Sequence, residues 1–350
     1  MRYQVSLDSR NQIFIKASQI KVLLDPKYLD SKSIAFVSHA HSDHLISKSS
    51  LKKLTIENRV ICSAETNEIA KVRGHNLGET IAGHPELQFI NTGHILGSRG
   101  LLIENEIFYT GDIAMRDRGF LKKTKIPKVD TLIIESTFGK REYIFPPLQK
   151  VVHQVNSILS ELYDRGVPVI LMGYSLGKAQ TLVSLFGFWK PLFVHDEIFK
   201  FNKIHRQFGI DLEPDISLSN ALENGLLNRK PWVLIYPLTT PRNSVLQTLK
   251  KKYGAVTIGF SGWGINKGYK TMMNLDYVIP FSDHCDYNEL LEVVRKCNPR
   301  KIFTFHGFVE EFSKELVRLG YDAEPITRIH SSQKRSIAVD MRKNMLDRYF

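Results

Sequence analysis

The chain of 350 residues is 43% hydrophobic and 24% charged, which fits one large folded domain or two smaller ones and excludes a disordered or fibrous chain. Its net charge of +12 and pI near 9.4 favour polyanionic partners, nucleic acid first and a membrane surface second. Three dispersed cysteines (Cys62, Cys285, Cys297) with no C-x-x-C exclude a disulfide framework and a zinc ribbon, and no signal peptide or membrane span is readable, so the expectation is a soluble, cytoplasmic protein.

Short β-rich runs between polar loops fill the first 140 residues. "IKVLL", "IAFVS", "RVICS", "GLLIEN" and "TLIIES" are among them, and the near-continuous "IAFVS" and "TLIIES" read as strands buried on both faces. Between them, "SAETNEIAKVRG" reads as a helix capped by Ser63 and stopped at Gly74. After Gly139 the pattern changes. "PPLQKVVHQVNSILSELYDRG" is an amphipathic helix with a stripe of Val152, Val155, Ile158, Leu159 and Leu162. Alternating strands and helices then run to about residue 263, the pattern of a small α/β unit with a parallel sheet. "YVIPFSDHCDYNELLEVVRKCNP" and "KIFTFHGFVEEFSKELVRLG" each repeat strand, polar turn and helix. With no long linker, the middle unit reads as an insertion in one large domain.

The chemistry sits at strand ends. "HAHSDH" (39–44) follows a buried strand. Residues two apart in extended chain point the same way, so His39 and His41 can share one metal, while Asp43 and His44 fall at the turn, placed for a second. His94 in "NTGHILG" and Asp112 in "YTGD" supply a third ligand and a carboxylate able to bridge two ions. His284 in "FSDHCDY" and His306 in "FTFHGF" lie on the same kind of rim.

In this order, "HAHSDH", "GHILGS" (93–98), "YTGD" (109–112), "IIESTFG" (133–139), "SDHCD" (282–286) and "HG" (306–307) resemble the metallo-β-lactamase-fold nucleases of the β-CASP group. "ESTFG", "FPP", "YSLGKAQ", "GFSGW" and "SDHCDY" look most like the ligase-associated DNA exonuclease type; the nuclease subunit of mRNA 3′-end processing shares the core motifs. The resemblance implies an α/β (α+β) fold: an αββα sandwich with an inserted α/β cap. The boundaries expected are 1–144 for the first part of the sandwich domain, 145–263 for the cap and 264–350 for the second part. By motif position, His39, His41, His94 and Asp112 hold one ion, and Asp43, His44, Asp112 and His306 the other, zinc before manganese. Glu135 and His284 are the added pair of this group.

Two divalent ions can share a water and lower its pKa, giving a hydroxide that attacks phosphorus in line. His284 is the expected general acid, oriented by Glu135, with Asp43 also at the reacting centre. For substrate contacts, Ser175 and Lys178 in "GYSLGKAQ" can hold a phosphate or simply close a helix turn; Ser261 and Trp263 in "SGWG" can meet a base or form a hinge. The basic stretch 121–128 reads as a solvated loop or a backbone track. Four functions follow in order: a DNA exonuclease in repair or end processing, an RNA 3′-end processing nuclease, an inactive scaffold that binds nucleic acid, and a small-molecule metallohydrolase, against which the cap, the Glu135–His284 pair and the +12 charge all count. Helicase and ligase partners are implied by the resemblance alone.

Overall fold

Five short strands open the chain: Tyr3–Leu7 (β1), Ile13–Ala17 (β2), Ile20–Leu24 (β3), Ile34–Phe36 (β4) and Arg59–Ile61 (β5), which form one sheet in that order. The computed structural model describes residues 3–17, 20–53, 59–78, 80 and 84–326; the end of the expected last segment, 327–350, lies outside them. Two helices accompany this sheet, Lys48–Leu51 (α1) and Ala64–Val72 (α2). Ser63 caps α2 by accepting the Thr66 N–H, and Gly74 follows it at φ +77°, as the sequence predicts.

The second sheet begins with Leu87–Asn91 (β6), Arg99–Ile103 (β7), Ile107–Tyr109 (β8) and Thr131–Ser136 (β9). The chain then leaves it. Leu148–Asp164 (α3) precedes a six-stranded, wholly parallel sheet of Val169–Gly173 (β10), Leu192–Val194 (β11), Ile216–Ser217 (β12), Val233–Pro237 (β13), Val256–Ser261 (β14) and Tyr277–Pro280 (β15), ordered β12-β11-β13-β10-β14-β15. The helices between these strands are Lys178–Phe186 (α4), Asp196–Gln207 (α5), Leu218–Glu223 (α6), Ser244–Tyr253 (α7) and Tyr269–Met272 (α8). Tyr287–Cys297 (α9) leads back to the second sheet, where Lys301–Gly307 (β16) pairs with β9 in parallel; Val309–Arg318 (α10) and the edge strand Ala323–Pro325 (β17) complete it.

The layers follow from side-chain alternation. Val22, Leu24 and Phe36 of the first sheet pack with Leu101, Tyr109, Ile133 and Phe305 of the second between the two sheets. On the outer face of the second sheet, Leu132, Ile134 and Ile302 pack with Leu290, Val294 of α9 and Phe312, Leu316 of α10. Helix α2 covers the outer face of the first sheet through Ile69 and Ala70. This is the expected αββα sandwich. Strand β9 feeds both the interior and the outer layer, which explains its uninterrupted apolar run. The inserted unit does the same: Val169 and Leu171 face α3 and α4, and Ile170 and Met172 face α7. On α3 the stripe turns slightly from the expected one, with Val151 buried and Val152 at the edge. The parallel sheet also runs past residue 263. "YVIP" reads as the start of the returning unit, yet Ile279 and Pro280 pair with Phe260 and Ser261 of β14, a non-local choice that no local pattern signals.

Candidate active site

The loop after β4 is held from behind by Asp25, which follows β3 at φ +45°. Its Oδ1 accepts the Ser38 N–H (2.6 Å), and its Oδ2 accepts from Ser38 Oγ (2.6 Å), Tyr109 Oη (2.8 Å) and His44 Nδ1 (2.7 Å). With Nδ1–H donated to Asp25, His44 turns Nε2 inward, 3.5 Å from Asp112 Oδ2; burial works against its proton, but Asp112, Asp43 and Asp25 more than offset it and raise the pKa to about 10. Similar outer bonds set the other rings. His39 Nδ1 lies 2.9 Å from Ser38 Oγ, His94 Nδ1 donates to the Asp283 carbonyl (2.9 Å), and His41 Nε2 donates to the Leu176 carbonyl of the inserted unit (3.2 Å). The inward atoms are therefore His39 Nε2, His41 Nδ1 and His94 Nε2.

These atoms crowd one another. His41 Nδ1 is 3.0 Å from His39 Nε2 and 3.1 Å from His94 Nε2, and both Nε2 atoms are 3.4 Å from Asp112 Oδ2. Burial pushes His41 down to about 3 and His94 well below the ordinary histidine value, so their rings are neutral and present lone pairs to each other. Facing lone pairs at this distance need a cation between them. Asp112 Oδ1 and His306 Nδ1 are buried, lie 3.5 Å apart and have no hydrogen-bond partner. Three groups of donors each converge within 4.8 Å: His39, His41, His94 and Asp112; His44, Asp112 and His306; Asp112, Glu135 and His284. Imidazole with one shared carboxylate suits a divalent first-row ion, and the residues fit a centre for divalent metal with Asp112 common to its parts. Asp43 stands at its rim, Oδ2 3.7 Å from His44 Nε2 and 3.9 Å from His306 Nε2, partly open to solvent.

His306 reaches the centre through unusual backbone. It adopts φ +57°, and Gly307 follows at +80° where β16 slips its register on β9. A Cβ on Gly307 would lie 2.3 Å from Thr137 Cα, so glycine alone fits there.

Beside the metal donors, Glu135 is fully buried at the end of β9. Its Oε1 accepts the Ile113 N–H (2.8 Å), Oε2 accepts from the Thr137 N–H (3.3 Å) and hydroxyl, and both oxygens lie about the His284 ring, 3.0 and 3.1 Å from Nδ1. Burial lowers the affinity of His284 for its proton, but Glu135 and Asp112 more than offset it and raise the pKa to about 9. His284 Nδ1 is 3.9 Å from Asp112 Oδ2.

A cavity of about 370 Å³ opens on this centre between the sandwich and the inserted unit. Ser175, Lys178, Ser261 and Trp263 all line it, as do His284 and Asp43. Their side chains differ in freedom. Lys178 is buried, donating to the Phe281 carbonyl (3.1 Å) and lying 3.4 Å from Asp283 Oδ2. The Gly177 N–H beside it is bound to Gln180 Oε1 (2.7 Å), and Ala179 N–H to the Tyr174 carbonyl. Two of the N–H groups of this turn are thus bonded within the protein, and its ammonium is an ion-pair partner. Ser261 accepts the Trp263 N–H (3.3 Å), and Trp263 packs against Phe138 and Tyr143, half-exposed to the cavity. The lysines of 121–128 point to solvent while Leu121 and Thr124 are buried.

Asp283 has a second cation. Arg118, fully buried, donates to Asp283 Oδ1 (2.9 Å) and to the carbonyls of Ser282, Gly93 and His94. It ties the loop of His94 to the loop of His284, and Lys178 ties both to the inserted unit. Asp25 and Arg118 have no sequence signal as site residues: Asp25 follows an ordinary strand, and "RDRG" around Arg118 reads as surface charge; Thr137 and Asp283 lie inside the motifs "IIESTFG" and "SDHCD", which mark the place but not their bonding.

Comparison with known proteins adds three findings. Residues 268–324, which carry Asp283, His284 and His306, match the family described as Zn-dependent metallo-hydrolase RNA specificity domain. A probable DNA ligase of Opitutus terrae is 32% identical over 322 residues, covering 86% of this chain and 29% of that one; an RNase J-like protein of Methanocaldococcus jannaschii is 25% identical over 272 residues, 63% of each. The chain therefore spans less than two thirds of either relative. In fold it is similar to a crystal structure of a protein of unknown function from Enterococcus faecalis V583, with a TM-score of 0.59 at 14% identity over 93% of this chain and 95% of that one.

Proposed function

The chain belongs to the β-CASP metallo-β-lactamase nuclease family, and on that premise we propose that it hydrolyses phosphodiester bonds of nucleic acid at a centre of two divalent ions, zinc in the first place. One observation carries the reading: a buried carboxylate, Glu135, holds an imidazole, His284, at the edge of the histidine–aspartate cluster. Simple metal hydrolysis of a small substrate does not need that pair. Cleavage of an unactivated phosphodiester does, because the departing oxygen is a poor leaving group unless it receives a proton.

When bound, the ions supply Lewis acidity, making a nucleophile from water near neutral pH and offsetting charge on phosphate oxygens. His39, His41 and His94 would hold one ion and His44 and His306 the other, with Asp112 common to both donor groups and Asp43 at the rim. The chain's own groups do the rest. Glu135 accepts the His284 Nδ1–H, so the protonated ring presents Nε2–H to the cavity. Thr137 and the Ile113 N–H fix the carboxylate, which fixes the ring. His284 Nε2 gives its proton to the leaving oxygen and regains one from solvent. Ser175, Ser261 and Trp263 line the cavity where the strand would lie, and Trp263 offers a face for one base.

DNA is the favoured substrate, since the 32% identical relative is a probable DNA ligase; exonucleolytic attack in repair or end processing, beside a helicase or ligase, is the pathway reading. RNA processing is the second reading, favoured by the match to an RNA specificity domain and by the RNase J-like relative. Digestion of matched, end-labelled DNA and RNA, single- and double-stranded, with zinc or manganese supplied separately, distinguishes them. Preferential cleavage of DNA from an end is expected; preference for RNA reverses the order. Binding without cleavage of any strand under any metal leaves only the inactive scaffold.

A further inference from the structure

Among the described residues, two non-histidine cations line the cavity, Lys178 and Arg73. Lys178 is paired with Asp283, as described above. The other is Arg73, which caps α2 just beyond Val72. Its guanidinium lies over the Phe201 ring of α5, 5.5 Å from the centroid, so it sits in the seam between the sandwich and the inserted unit. Its Nε is buried without a hydrogen-bond partner. Asp43 and Glu197 are close enough to attract it, yet neither reaches ion-pair distance. Among the described residues, Arg73 is the one cavity-lining guanidinium or ammonium left without an anion.

We propose that Arg73 binds a phosphate of the nucleic-acid strand, on the His41–Asp43 side of the metal centre; this rests on the nuclease reading above. A half-buried guanidinium with an orphaned N–H is short of an acceptor, and phosphate oxygens match its planar fork in two parallel bonds. The Phe201 ring beneath the guanidinium restricts its movement, reducing the freedom lost on binding. Arg73 therefore acts on substrate binding, and it fills the role that the buried Lys178 is not free to take. Its sequence setting, "AKVRG", shows only the end of a helix.

The test is fluorescence anisotropy of the full chain with short labelled single strands, DNA and RNA, each with a 5′-hydroxyl or a 5′-phosphate. Calcium replaces the catalytic metal to prevent cleavage, and salt is titrated. Arg73→Met and Arg73→Gln are expected to weaken binding by roughly 10-fold to 100-fold, the worth of a charge-assisted bond pair. Each also lowers the slope of log affinity against log salt by about 0.7, one phosphate contact on a single strand. Arg73→Lys restores the slope and only part of the affinity. Loss confined to 5′-phosphate strands assigns the contact to the terminal phosphate, and equal loss on both assigns it to an internal diester. Wild-type affinity and slope in both neutral variants, with unchanged thermal stability, overturn the proposal. Wild-type protein that binds no strand at low salt sinks the nuclease reading itself, which separates the two failures.

Discussion

His284 and Asp112 stand less than 4 Å apart and are expected to fail differently when removed. His284→Ala retains metal and loses cleavage by about 10²- to 10⁴-fold, the usual worth of a positioned acid. Asp112→Ala loses both, since its carboxylate is common to all three donor groups. Metal content by elemental analysis and single-turnover cleavage check the pair, and full activity in His284→Ala would remove the acid from the mechanism. Asp283 gives a third residue-scale outcome. It carries Arg118 and Lys178 at once inside the protein, so Asp283→Asn leaves two buried cations facing one neutral amide. A loss of about 3 kcal/mol in denaturant unfolding is expected; an unchanged midpoint would mean that the carbonyls around Arg118 suffice. The gathering of the histidines was legible because strand-end spacing and residue chemistry agree. Lys178 was legible as a site residue but not in its bonding, because Asp283 and Phe281 lie about a hundred positions away in the chain.

At the scale of elements, the turn between β10 and α4 presses on the loop of His94. Gly177 adopts φ +88°, and a Cβ there would lie 2.3 Å from Ile95 Cγ2. Gly177→Ala combines a disfavoured backbone with an overlap and should cost about 2 kcal/mol or more in stability. Ile95→Ala in the same chain removes the overlapping Cγ2, so the double variant should be less destabilised than the sum of the two single ones, which a double-mutant cycle reads directly. Asp276 joins β14 to the turn before β15. Burial pushes its carboxyl up, but bonds from the Thr257 N–H and hydroxyl and from Lys250 overcome this and hold it below the ordinary aspartate value. A folded-state pKa below the unfolded one stabilises above the unfolded value, and the stability is lost as pH falls through the folded one. Wild type should therefore lose stability below about pH 4 more steeply than Asp276→Asn, as melting temperature against pH shows. The helices were readable from their stripes and caps. The membership of β15 was not, because four extended residues carry no mark of the sheet they will join.

For the whole molecule, the donors come from both sheets of the sandwich. His39, His41 and His44 follow β4 of the first; Asp112 follows β8 and His306 lies in β16 of the second. Metal bound there clasps the two sheets, and binding to the native state alone adds about 2.7 kcal/mol when free metal is a hundred times its dissociation constant. Chelation is thus expected to lower the melting temperature by several degrees, reversed by added zinc; an unmoved transition would mean that the layers hold without the ions. Among the described residues no helix is long and apolar enough to cross a membrane. The layered plan was implied by the resemblance that the motifs carry, and the parallel sheet of the inserted unit by its alternating strands and helices. The seam between the sandwich and the inserted unit was not, since it depends on contacts such as His41 with Leu176 that join distant stretches.

The parallel pairing of β9 with β16 also imposes an order in time. A chain leaving the ribosome has His39, His41, His94 and Asp112 available by residue 112, but β9 has no neighbour on one side until residue 307 exists. In that interval the nascent sheet carries an open edge, the kind that other strands invade. The inserted unit is made during the same interval and has apolar cores on both faces of its own sheet. Folding it first turns a long slack loop into a compact one and lowers the entropy of closing β9 on β16. The second half of the metal centre is then the last part of the molecule to assemble, and a truncated product ending before β16 would be both inactive and sticky.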